Sequence, residues 1–92
     1  MKCSILHQSA GRMRVHLHGG RMTLDRADVL EYYLLNIPGI TSVKVYDRTS
    51  DAIIRYTCPR SQVLHALSRF HYEDPKAVAL VPDHTGRALN RE

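Results

Sequence analysis

The feature that most constrains this chain is a change of hydrophobic period at Gly19-Gly20. Before the two glycines apolar and polar residues alternate, as in a strand with one buried face; after them Ala27, Leu30, Leu34 and Ile37 recur at helical spacing. The same change recurs later. Ile40 to Asp47 and Asp51 to Thr57 are β-rich runs separated by Arg48-Thr49-Ser50, a hairpin spacing, and Val63, Leu64, Leu67 and Phe70 then form a second helical stripe. A chain that alternates periods in this way must lay amphipathic helices on a sheet.

The element boundaries follow from local chemistry. Lys2 to Ser9 and Met13 to His18 both alternate, and Ala10-Gly11 between them reads as a bulge or tight turn inside one long, interrupted first strand. Thr23 or Asp25 caps the first helix, and Pro38-Gly39 stops it. Ser61 is the expected cap of the second helix, which ends before Pro75, and Ala77 to Val81 is the expected last strand. The order β-α-β-β-α-β predicts an α+β, ferredoxin-like sandwich: a four-stranded antiparallel sheet with two helices on one face. Its expected core is Val15, Leu17, Leu30, Leu34, Val43, Val45, Ile54, Leu67 and Phe70. Residues 1–81 form this one domain, and the polar tail 82–92 reads as a linker.

Ninety-two residues hold one modest core and no separate catalytic and substrate domains. No run approaches the roughly 20 apolar residues that cross a bilayer, and the N-terminus lacks a signal-peptide core, so a cytosolic location is expected. Cys3 and Cys58 stand in no metal-knuckle or disulfide spacing and read as free thiols. The formal charge of +4 lies entirely before Ala27, where Lys2, Arg12, Arg14, Arg21 and Arg26 face Asp25 alone. Such a basic end suits an anionic lipid surface, an acidic protein or nucleic acid. Nucleic acid is the weakest of these, because an RNA-reading sheet carries stacking aromatics on its central strands and Ile53-Ile54-Arg55-Tyr56 offers one tyrosine. Gly19-Gly20-Arg21 only faintly echoes the phosphate loop of an acylphosphatase, with no asparagine partner identifiable, so the chain is not expected to be an enzyme on its own.

The sequence Arg26-Ala27-Asp28-Val29-Leu30-Glu31-Tyr32-Tyr33-Leu34-Leu35-Asn36-Ile37-Pro38-Gly39-Ile40, followed by Ser42-Val43-Lys44-Val45, resembles the first helix and second strand of heavy-metal-associated domains. Leu30-Glu31 with Leu34 matches the family's helix core, and Gly39-Ile40 with Val43 its next strand. Ser9 to Val15 and Asp47-Arg48-Thr49 are similar to cysteine-free relatives at the N-termini of heavy-metal P-type ATPases, and the resemblance spans Ile5 to Tyr72. It implies a regulatory or docking module on the cytoplasmic face of the membrane, whose partner is the rest of a transition-metal-transporting ATPase, with 82–92 leading toward the membrane part. By the family's spacing, its two metal-gripping cysteine positions fall on Thr23 and Arg26, which cannot supply the converging thiolates a soft metal needs. No cofactor is then required. The alternative is a stand-alone module for a metal or small ligand, and here His16 and His18, at i and i+2 on one strand face, are the candidate ligands for weak zinc or nickel binding, with Cys3 or His7 able to join them if the first segment folds back. Met22 near the family's methionine position reads as core filling.

Overall fold

Alternation puts Met13, Val15 and Leu17 on one side of their strand, and in the computed structural model, which describes residues 1–82, all three are buried against the helices. The elements are β1 (Cys3–Ser9), β2 (Arg12–Leu17), α1 (Leu24–Leu35), β3 (Ile40–Tyr46), β4 (Asp51–Tyr56), α2 (Arg60–Arg69) and a short α3 (Pro75–Val78). The strands form one four-stranded antiparallel sheet in the order β1-β2-β4-β3, with the helices packed on it. This is the α+β, ferredoxin-like architecture. β2, α1 and β3 make the split βαβ unit, and β4 fills the gap between its strands.

Two elements differ from the sequence-based expectation. The interrupted first strand is a hairpin: Ser9 pairs with Arg12 across Ala10-Gly11, and Gly11 takes φ +71°, the left-handed conformation glycine adopts without a Cβ clash. The expected last strand at 77–81 is instead the helix α3 and the turn after it. Asp74 accepts a hydrogen bond from Lys76 N at 3.0 Å and Pro75 occupies the first helical turn, a helix-starting pair. The sheet edge beside β2 that a C-terminal strand would occupy is already paired with β1.

The core consists of Met13, Val15 and Leu17, Leu30 and Leu34 of α1, Val45 of β3, Ala52 and Ile54 of β4, and Val63, Leu67 and Phe70. Val43, expected inside, is half-buried at its margin. Thr23 caps α1, its hydroxyl accepting from Arg26 N at 3.2 Å, whereas α2 begins after Pro59 without a side-chain cap and Ser61 lies within the helix. Tyr33 Oη donates to Ala66 O at 2.7 Å and its ring packs on Phe70, which also meets Tyr72 nearly perpendicular, so aromatic contacts tie α1 to α2. Arg60 Nε donates to Gln8 Oε1 at 2.8 Å and the N-terminal ammonium to Ser68 O at 3.1 Å, fastening β1 to the same helix. The tail 83–92, expected as a linker, lies outside the described residues.

Candidate functional site

With Val15 paired to Ala52 and Ile54 to both Met13 and Val43 on the buried face, register places the intervening residues on the open face. Arg14, Ile53 and Lys44 form one row there; Ser4, His16, Asp51 and Tyr46 form the next. Arg12 and Arg55 add two further cations. Asp51 is the only acidic residue in the four strands, and it begins β4, between His16 and Tyr46 in the second row.

Asp51 is 5% exposed. One carboxylate oxygen accepts from Arg14 Nη2 at 3.0 Å and the other meets His16 Nδ1 at 2.8 Å. Burial pushes the carboxyl's pKa up, but hydrogen bonds from His16 and Arg14, the guanidinium charge and a bond from the Thr49 side chain outweigh it, so Asp51 titrates below its ordinary value. An ionised carboxylate only accepts, so the His16 Nδ1 that faces it carries a proton, and in the neutral ring Nε2 is then the lone-pair nitrogen. Tyr46 lies beneath two cations, with Arg14 Cζ 5.8 Å and Lys44 Nζ 5.3 Å from its ring centroid. Arg14 Nε is buried without a hydrogen-bond partner.

His16 and His18 are brought together, with ring centroids 5.2 Å apart and planes nearly perpendicular. The first segment does fold back, yet neither Cys3 nor His7 joins them. Cys3 pairs with Leu17 on the inner-face register and His7 pairs with Arg14, one row away; Ser4 is the residue opposite His16. Ser4 Oγ lies 2.6 Å from His18 Nε2. Cys3 and Cys58 stand at opposite ends of the sheet, since Cys58 follows Tyr56, whose N bonds Gly11 O at the β1–β2 turn. Among the described residues no group of three or more histidine, cysteine or carboxylate side chains is placed to hold a metal ion.

Thr23 and Arg26, where the resemblance would put a pair of metal-gripping cysteines, make contacts of another kind. Thr23 is committed to capping α1, and the Arg26 guanidinium stacks 5.0 Å from the Tyr72 ring centroid and reaches Glu73 at 3.5 Å. Met22 is buried as core. On the helical side, a groove of about 510 Å³ runs between α1, α2 and α3, lined by Tyr33, Ile37, Ala66, Arg69 and Leu80 among others. Ser4, Asp51 and Arg14 were missed as site residues from sequence, because only strand register shows that they flank the two imidazoles.

No family model matches the chain, and no curated protein or solved structure matches it significantly. Among the described residues no helix is long and apolar enough to cross a membrane.

Proposed function

We propose that this domain is a non-catalytic docking or regulatory module, the cytoplasmic N-terminal part of a transition-metal-transporting P-type ATPase, in which the loop that grips metal in thiolate-bearing relatives has become structural. One observation carries the reading. The start of α1 is closed by the Thr23 cap and by Arg26 stacked on Tyr72, so this corner supports the fold in place of a metal ion. The open sheet face then offers Arg12, Arg14, Lys44 and Arg55 around a single carboxylate, a surface suited to an acidic patch on the transporter's other cytosolic parts or to anionic headgroups. It lacks the stacked aromatics of an RNA reader, since Tyr46 is covered by its own cations.

The test has two stages. Reading past Glu92 should reveal hydrophobic spans with an intramembrane metal motif, and a stop codon there would sink the proposal. If the spans are present, metal-stimulated ATP hydrolysis of the whole protein should change when residues 1–82 are deleted, and again when Arg12, Arg14, Lys44 and Arg55 are replaced together by Ser. Unchanged hydrolysis in both variants would refute a regulatory or docking role.

A further inference from the structure

We infer that His16 and His18 form a preoriented two-imidazole site for a borderline divalent cation such as zinc or nickel on the open sheet face, independent of the thiol loop that the chain lacks. Three observations converge on it. The first is spacing: two imidazoles sharing a tetrahedral ion, each nitrogen about 2.0–2.1 Å from the metal, hold their ring centroids about 5 Å apart, and these two stand at 5.2 Å. The second is orientation of His16. A metal-binding histidine usually gives its other N–H to a carboxylate, which fixes the tautomer and raises the ligand's basicity. Asp51 does this to Nδ1 at 2.8 Å, and Asp51 is itself buried and held by Arg14.

The third observation is the matching restraint on His18. His18 Nε2 lies 2.6 Å from Ser4 Oγ, a hydroxyl that can accept the ring N–H or donate to it; in the tautomer with the proton on Nε2, Nδ1 is the lone-pair nitrogen. Each ring is held by a neighbour through one nitrogen, and the other nitrogen is the one a ligand would meet. Imidazole pairs suit zinc, nickel and copper(II) rather than magnesium or calcium, which prefer oxygen donors. Asp51 is a positioning residue here, because both its oxygens are already engaged. Two protein donors leave two tetrahedral positions for water or an added donor, so the site is open and exchangeable. The Arg14 charge is offset by the Asp51 carboxylate at 3.0 Å, so the pair together adds little net charge beside the ion.

The test titrates the full 92-residue chain with zinc chloride and, separately, with nickel chloride, by calorimetry and by histidine proton and nitrogen NMR. Wild type should bind one ion, with nickel broadening confined to the His16 and His18 rings. His16→Ala and His18→Ala should each weaken binding at least tenfold. Asp51→Asn should weaken it by about 10- to 100-fold and shift the His16 nitrogen resonances toward a mixture of tautomers, a change that a purely structural role for Asp51 would not produce. Folding of each variant is checked by far-ultraviolet circular dichroism, and Ser4→Ala, which removes one surface hydroxyl, serves as a milder second variant expected to weaken binding several-fold. Absence of binding by folded wild type would overturn the inference. So would undiminished affinity in the His16→Ala, His18→Ala double variant, or broadening centred on any of the other four histidines.

Discussion

Gly39→Ala offers the sharpest test of how the sheet and helices are joined. Gly39 adopts φ +92°, and a Cβ added there would lie 2.4 Å from Cys58 Cβ, 3.0 Å from its Sγ and 3.1 Å from its backbone N. Two costs follow. Holding a Cβ-bearing residue in left-handed backbone costs about 1–2 kcal/mol, and forcing a methyl into a filled space costs about 1–3 kcal/mol, so the substitution should destabilise by about 2–5 kcal/mol. For a domain of this size each kcal/mol moves the melting temperature by about 4–8 °C, giving a drop of at least about 8 °C. The partner variants separate the two contributions. Cys58→Ala keeps the Cβ that causes the 2.4 Å contact, whereas Cys58→Gly removes it. In urea titrations the Gly39→Ala, Cys58→Gly double variant should recover about 1–3 kcal/mol relative to the sum of the single changes, and the Cys58→Ala pair should recover clearly less. A Gly39→Ala cost below about 0.5 kcal/mol, the scale of surface changes, or equal recovery from both Cys58 variants, would refute the reasoning.

Three further outcomes are expected. Leu34→Ala, at a fully buried position, should cost about 2–5 kcal/mol in chemical denaturation through lost burial and the cavity left behind. Asp51 has a folded pKa below its unfolded value, so its contribution is complete above the unfolded value, about 3.9, and is lost as pH falls through the lower folded value; wild type should therefore lose more stability than Asp51→Asn between pH 5 and pH 2.5 by urea unfolding. Thr23 caps α1 and Arg26 stacks on Tyr72, and the core needs no ligand, so the circular-dichroism spectrum should survive a chelator unchanged; on the proposed reading, copper(I) competition assays should show no tight two-thiolate binding.

Much of the architecture was legible in the residues. The helical stripes of Leu30 with Leu34 and of Val63 with Leu67, and the period-two faces of β2, β3 and β4, mark the buried side whatever pairs with what, and Thr23 is one of the two caps, with Asp25, that the residues offer for α1. Pairing partners are not written in a periodicity. Met13, Val15 and Leu17 alternate in the same way whether the chain before them continues straight or turns back at Gly11, so the hairpin looked like one strand. Asp74-Pro75 is at once a stop for the helix before it and a start for the helix after it, and so short a run as Ala77 to Val81 has no period that tells strand from helical turn; β1 supplies the edge strand instead. At the site, the juxtaposition of His16 and His18 followed from their i, i+2 spacing. Asp51 did not stand out, since an aspartate after a turn is ordinary, and only the β2–β4 register sets it opposite His16.

Placing β1 beside β2 through a two-residue turn also bears on how fast the domain assembles. In a sheet whose outer strand arrives from the far end of the chain, two pairings must close long loops; here both outer strands, β1 and β3, zip onto their neighbours through turns of two and four residues. Only the β2–β4 pairing spans α1 and β3 and must bear a long loop-closure entropy. Chains dominated by local contacts fold faster than those dominated by distant ones. Two hairpins forming independently and then docking along Arg12 to His16 is the order of events this arrangement favours, with the rate governed by the one distant seam rather than by either edge.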